Sequence, residues 1–316
     1  PQAVEITMMS LYLKALEGER GMLPRKQHLL PPLGNNIKCG NSLIGYDIYD
    51  SLFPAVIPAR DVIPATSGIL LKDSEQVGMT EKEKWSDDTK SRINPFDWNS
   101  KGAGFGEIME KGGFDVVIGN PPYVRIQTLP KEQVDYFNRK YKSATGNYDI
   151  YALFVEKALH LLKESGIHGY IMPHKFFQAS YGEGLRKLIA ERRTLTEIVN
   201  FRDNQIFEGA STYTCLLFLQ KIKNNTFKFA DVARLKNPVA QLQIILKTES
   251  YKDDDMQVGM ISKKEVTANS WNFSIGERAN LTKKISRTKT CLKDVCARIY
   301  QGVITSADPI FLFKDY

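Results

Sequence analysis

The sequence predicts an α/β fold, a doubly wound and mostly parallel sheet with helices on both faces, and three observations carry that prediction. From Phe114 to Gln220, short apolar runs that fit buried strands alternate with stretches of helical periodicity. Asn41 and Asn120 fall directly after two such runs, at the strand ends where open α/β sheets bind ligands. The length, 316 residues, suffices for one large core with a smaller unit beside it.

Ala3 to Glu17 reads as an amphipathic helix through Val4, Met8, Leu11 and Leu16. It has no preceding strand to pack upon and no Met opens the chain, so a cut N-terminus is expected; its acidic residues rule out a signal peptide. A Pro-rich connection leads to a short strand around Ile37 to Cys39, stopped at Gly40-Asn41-Ser42. From Tyr46 to Gly113, Pro54, Pro58, Pro64 and many charges mark an insertion, with a helix near Glu81 to Arg92. Phe114-Asp115-Val116-Val117-Ile118-Gly119 fits a strand buried on both faces. Tyr148 to Lys163 carries one helical stripe of Tyr151, Phe154, Val155, Ala158, Leu161 and Leu162, which Gly166 ends. Strand Gly169 to Met172, helix Glu183 to Arg192, strand Leu195 to Phe201 and strand Thr214 to Gln220 complete the alternation. The main domain is expected over residues 1–225. Residues 226–288 form a connecting region of short strands with a helix near Ile275 to Ile285, and residues 289–316 begin another unit.

Forty-three Lys and Arg against 36 Asp and Glu give a formal charge of +7, which suits a polyanionic partner such as nucleic acid without requiring one. No apolar run approaches the roughly 18 residues of a membrane helix, so no span is expected. Four cysteines are scattered, and Cys39 and Cys215 lie in runs that read as buried strands, which points to a reducing cytosol. Cys291 and Cys296 lack a second Cys or His pair, and no metal is expected.

The chemistry concentrates in Asn120-Pro121-Pro122-Tyr123. Neither proline has an N–H, so the loop offers the Asn120 side-chain oxygen and the Pro121 carbonyl as acceptors with no competing donors. Two such acceptors suit an amino group conjugated to an aromatic ring: they draw its lone pair back onto nitrogen and make it nucleophilic. Tyr123 supplies a face on which a flipped-out base stacks, worth about 1 to 3 kcal/mol in comparable sites. The alternative is a simple turn, since Asn and Pro favour turns. Position after a buried strand favours the chemical reading.

At these residues the chain resembles the N6-adenine DNA methyltransferases, and within them the type IIG restriction-modification enzymes. The resemblance rests on Asn36-Ile37-Lys38-Cys39-Gly40-Asn41-Ser42-Leu43, on Gly112 to Val124, and on Asp149-Ile150-Tyr151 leading into Phe154-Val155-Glu156-Lys157-Ala158. It implies a Rossmann-like class I methyltransferase domain over residues 1–225, S-adenosylmethionine as cofactor, double-stranded DNA as partner, a bacterial or archaeal cytoplasm, and the opening of a target-recognition domain at 289–316. Asn120, Pro121, Pro122 and Tyr123 are then catalytic. Asn41 contacts the cofactor's adenine amino group and Phe154 packs on its ring, the alternative for Phe154 being a core residue. Phe207 stacks on the other face of the target base or merely anchors its loop. Lys175, beside His174, approaches the DNA backbone or remains a solvated charge. The family's glycine-rich cofactor loop and ribose-binding acidic residue are expected before Pro1, so weak cofactor binding and little activity are expected of these residues alone. An upstream nuclease domain accompanies such enzymes. The rival readings are an amino methyltransferase acting on protein glutamine or ribosomal RNA guanine, and a DNA-binding fragment without activity.

Overall fold

The computed structural model describes residues 2–16, 33–49, 92–207, 212–222, 224–286, 290 and 292–298. The chain divides into two compact units, Pro1–Asn272 and Phe273–Tyr316. The strands, all in the first unit, are β1 Phe114–Gly119, β2 Leu162–Pro173, β3 Leu195–Asn200, β4 Thr214–Gln220, β5 Thr226–Val232, β6 Tyr251–Lys252 and β7 Met256–Ser262. They make one mixed seven-stranded sheet in the order β1-β2-β4-β3-β5-β7-β6. β1 pairs β2 and β3 pairs β5 in parallel, and the remaining neighbours are antiparallel.

The helices of this unit are α1 Gln2–Leu16, α2 Gly106–Glu110, α3 Lys131–Lys140, α4 Tyr151–Leu161, α5 Glu183–Arg192 and α6 Pro238–Lys247; the second unit holds α7 Glu277–Ser286 and the single turn α8 Leu292–Val295. Alternation fixes the strands: Cys215, Leu217 and Leu219 of β4 are buried while Leu216 and Phe218 between them are only half-buried. Register sets Val199, Leu216, Ala230 and Val258 side by side, and Val199, Ala230 and Val258 join Val232, Met256 and Ile245 of α6 in one core cluster. α6 starts cleanly because the Asn237 side chain accepts from the Ala240 N–H at 3.1 Å and Pro238 fills the first helical position. α4 packs on β1 and β2 and against α5. The buried Arg186 of α5 donates to the carbonyls of Phe176 (2.6 Å), Ala179 (2.8 Å) and Ala268 (2.9 Å). It thereby ties the turns after β2 to the segment that carries the buried Trp271.

Several expectations change. The run before Asn41 is no strand: residues 37–39 are irregular, Asn41 makes one isolated parallel bridge to Pro95, and Cys39 is exposed. Among the described residues β1 lies at the sheet's edge and is not buried on both faces, Val116 being 56% and Ile118 83% exposed. Gly166 does not end α4; β2 begins at once, and Gly166 lies in the stretch between Leu162 and Ile167 where the β1–β2 register shifts. A Cβ there would meet the Phe114 carbonyl at 2.9 Å, so a side chain does not fit. α1 is helical as expected but not amphipathic, with Ile6, Met9, Leu11 and Leu13 all exposed.

The anticipated insertion is ordered over 92–113. Phe96, Trp98 and Phe105 form an aromatic cluster with Phe114 of β1, with ring centroids 5.0 to 6.2 Å apart. Nearly all of the expected helix at 81–92 lies outside the described residues. The supposed connection after residue 225 adds β5, β7, β6 and the unforeseen α6 to the same sheet, and the compact units separate at Asn272 instead. Of the unit expected at 289–316, only residues 290 and 292–298 are described. Among the described residues no helix is long and apolar enough to cross a membrane, and no cluster suits a metal ion.

His168 of β2 is fully buried, its ring 4.1 Å from that of Tyr170, and neither ring nitrogen has a hydrogen-bond partner. Burial pushes its pKa from 6.5 down to about 3. The unfolded chain therefore binds the extra proton between those values, so stability is intact above pH 6.5 and declines as pH falls through that window. Urea unfolding at pH 7 and pH 5 is expected to lose about 2 kcal/mol more in the wild type than in His168→Leu. Equal pH dependence in the two proteins would contradict it.

Candidate active site

β1 delivers the loop. Its last residue, Gly119, registers with Tyr170 of β2, and a Cβ on Gly119 would stand 3.2 Å from the Tyr170 ring, so glycine lets the two strand ends close up. Asn120 and Pro122 are then exposed, Pro121 is buried and Tyr123 half-buried. The two prolines cannot donate, so the loop is fastened from its downstream side. Ile150 N–H donates to the Val124 carbonyl at 2.9 Å, and Ile126 N–H to the Tyr148 carbonyl at 3.1 Å. The Tyr123 hydroxyl donates to the Ile171 carbonyl of β2 at 3.2 Å, and its ring meets Tyr151 edge-on with centroids 6.3 Å apart. Burial pushes the Tyr123 pKa up to about 12, so the ring stays neutral.

The segments that carry Asn41 and Phe154 share one core cluster. Leu43 and Ile44, just after Asn41, are buried with Ile126, Ile150 and Leu153, and Phe154 packs partly buried against them. The Asn41 side-chain oxygen accepts from Leu43 N–H at 3.2 Å, and its own N–H donates to the Asn94 carbonyl at 2.6 Å. A Cβ on Gly40 would meet Phe96 at 2.8 Å, which requires glycine for this close approach. Trp98 braces the same segment, its indole N–H donating to the Ser42 carbonyl at 3.0 Å.

The carboxyl ends of β2 and β3 lie at the same end of the sheet as Asn120. Lys175 is exposed there on a short 3-10 turn, His174–Phe177. Phe207 is exposed in the loop after β3, the strand whose carboxyl end lies at that end of the sheet. Asn200, Arg202 and Asp231 escape a reading of the sequence. His174 Nδ1 lies 2.8 Å from the Asn200 side-chain oxygen, its ring stacked on Phe177, while Arg202 grips Asp231 through two guanidinium nitrogens. Asp149 is half-buried and joined to Arg125 by an isolated antiparallel bridge; burial raises its pKa, opposed by the charges of Arg125 and Lys175. A carboxylate at a turn next to a buried helix start is the available signal for Asp149, and the contacts of Asn200 and Arg202 span distances along the chain that no local pattern encodes.

The model of the Eco57I restriction-modification methylase family matches residues 1–207, and the chain belongs to that family. The type II restriction enzyme and methyltransferase RM.Eco57I of Escherichia coli is 30% identical over 321 residues, covering 99% of this chain and 26% of that protein. The type II methyltransferase M.XhoI of Xanthomonas vasicola is 25% identical over 208 residues, covering 63% of this chain and 37% of the relative. The solved type IIG restriction endonuclease BpuSI aligns with a TM-score of 0.43 at 15% identity over 57% of this chain and 23% of its own. This chain thus spans about a quarter and a little over a third of these two relatives' length. The family uses S-adenosylmethionine.

Tyr123→Phe keeps the ring and removes only the bond to Ile171. It is expected to lower unfolding stability by about 1 kcal/mol in a denaturant titration. An unchanged midpoint would show that the hydroxyl does not anchor the loop.

Proposed function

We propose that this chain is the catalytic part of a site-specific DNA methyltransferase that methylates adenine at N6, within a type IIG restriction-modification enzyme. The observation that carries the reading is the exposed Asn120 beside two donor-free prolines, held at the end of β1 by the bonds from Ile150 and Ile126. Asn120 Oδ1 and the Pro121 carbonyl accept the two N–H bonds of the target amino group, which favours a pyramidal nitrogen with its lone pair free for attack. Tyr123 stacks on the flipped base, offsetting part of the few kcal/mol that unstacking costs. Its hydroxyl bond to Ile171 keeps that ring from rotating away as the base enters. Once nitrogen has gained the methyl group it loses its proton to solvent, so no general base has to act first.

The residues present fit one end of the cofactor. Asn41 Oδ1 uses one lone pair on Leu43 N–H and keeps another for an adenine amino group, and Phe154, packed on the core from one side, offers an aromatic face for the ring. S-adenosylmethionine supplies the electrophilic methyl group. Phe207 contacts the second face of the target base and Lys175 the DNA backbone, in keeping with the formal charge of +7. The catalytic unit is the compact one ending at Asn272, and residues 289–316 open a target-recognition domain.

In the intact enzyme, Asn120→Ala is expected to abolish transfer of labelled methyl to duplex DNA while DNA affinity stays nearly unchanged. Retained turnover would overturn the mechanism. The same assay run with unmodified DNA, a purified release factor and ribosomal RNA decides the substrate, with N6-methyladenine expected in the digested DNA. Label found only in protein or ribosomal RNA would favour the same loop chemistry on a glutamine amide or a guanine.

A further inference from the structure

The turn after β2 holds a histidine whose hydrogen can be placed from its neighbours. The backbone N–H of His174 donates to the Tyr213 carbonyl at 3.2 Å, which fixes the residue one step beyond the strand end. Its half-buried ring is stacked on the buried Phe177, centroids 5.9 Å apart, and tilted 37° from the ring of Tyr213 at 6.2 Å. Its Nδ1 lies 2.8 Å from Oδ1 of Asn200, the last residue of β3. The same Asn200 atom accepts from Arg202 N–H at 3.2 Å. A backbone amide only donates, so that atom is the oxygen of the Asn200 amide, and His174 Nδ1 has to carry the hydrogen of their bond. In the neutral ring the lone pair is then on Nε2.

Nε2 has no hydrogen-bond partner among the described residues, and unlike both nitrogens of His168 it is not shut off from solvent. The charged groups nearby favour an anion there. Lys175, the next residue, is exposed. From β3 and β5, Arg202 and Asp231 are closed on each other, with Asp203 adding its charge to Arg202, and Asp149 faces Arg125 and Lys175. No carboxylate bonds the ring among the described residues. A neutral Nε2 accepts, and so does a phosphate oxygen, so a phosphate can bind there only if the ring gains a proton.

We propose that His174 contacts a DNA backbone phosphate as an imidazolium, taking up a proton on Nε2 as DNA binds, with Asn200 as the positioning residue that holds Nδ1–H. This rests on the reading of the chain as part of a DNA enzyme. The proton comes from solvent, and Nδ1–H keeps its bond to Asn200 in both states, so the ring charges without turning over. Lys175 brings permanent charge to the same turn, whereas the charge on His174 is one that the phosphate itself stabilises.

The test is calorimetric titration of the intact enzyme with a mixed-sequence DNA duplex at pH 7.5, in two non-phosphate buffers of different ionisation heat. The wild type is expected to take up protons on binding. His174→Gln is expected to bind without that uptake, with the slope of log affinity against log salt reduced by about one. Asn200→Asp keeps both acceptor bonds and places a carboxylate on Nδ1–H, so the ring is charged before DNA arrives: uptake is lost while affinity is kept. Uptake absent from the wild type, or equal in His174→Gln, would overturn the proposal while leaving the DNA reading intact. Uptake persisting in Asn200→Asp would remove Asn200 from it. The same uptake with inorganic phosphate alone would assign Nε2 to the free anion and overturn the backbone contact. No duplex binding by the wild type would overturn the DNA reading itself, and this contact with it.

Discussion

The site depends on a pair of backbone hydrogen bonds that join residues 124–126 to residues 148–150. A loop with two successive prolines cannot tie itself down through its own amides, so its rigidity has to come from the residues after it. Here the chain turns after Tyr123, runs beside the entry to α4, and exchanges Ile150 N–H to Val124 O and Ile126 N–H to Tyr148 O. The acceptor loop and the helix bearing Tyr151 and Phe154 thus move as one piece. Between them, 129–147 loops out as α3 and a turn, and that turn is pinned by Glu156, whose carboxylate accepts from Lys142 N–H (3.1 Å) and Ser143 N–H (2.8 Å) while 1% exposed.

Charge around this frame is graded by depth. Lys157, on the same helix, has its pKa lowered by burial, and its ammonium lies 5.7 Å from the Trp98 ring centroid. That arrangement trades some hydration for attraction to an aromatic face. Asp149 is drawn the opposite way, its charged form disfavoured by burial and restored in part by Arg125 and Lys175.

Local pattern makes some of this readable and hides the rest for identifiable reasons. β4 and α5 are legible at their observed bounds because alternation in Thr214–Gln220 and helical spacing in Glu183–Arg192 are self-contained. The loop at Asn120 is legible because proline and asparagine carry their chemistry without context. Three features are not. The edge position of β1 depends on which strands flank it, which its own six residues do not encode. The aromatic cluster of Phe96, Trp98, Phe105 and Phe114 obeys neither period of regular structure and so resembles an excursion. The β5–β7–β6 extension reads as a connector because short strands separated by charged turns resemble a linker until pairing is known. In the site, the sequence points to Asn41 and Phe154 separately, while only the structure shows that Leu43, two residues after Asn41, and Leu153, beside Phe154, belong to one core cluster.

The open margin of β1 has a practical corollary. Val116 and Ile118 leave oily side chains in water along a strand whose outer amides and carbonyls pair with no strand among the described residues. Such a border is a template for any extended peptide, including a second copy of itself.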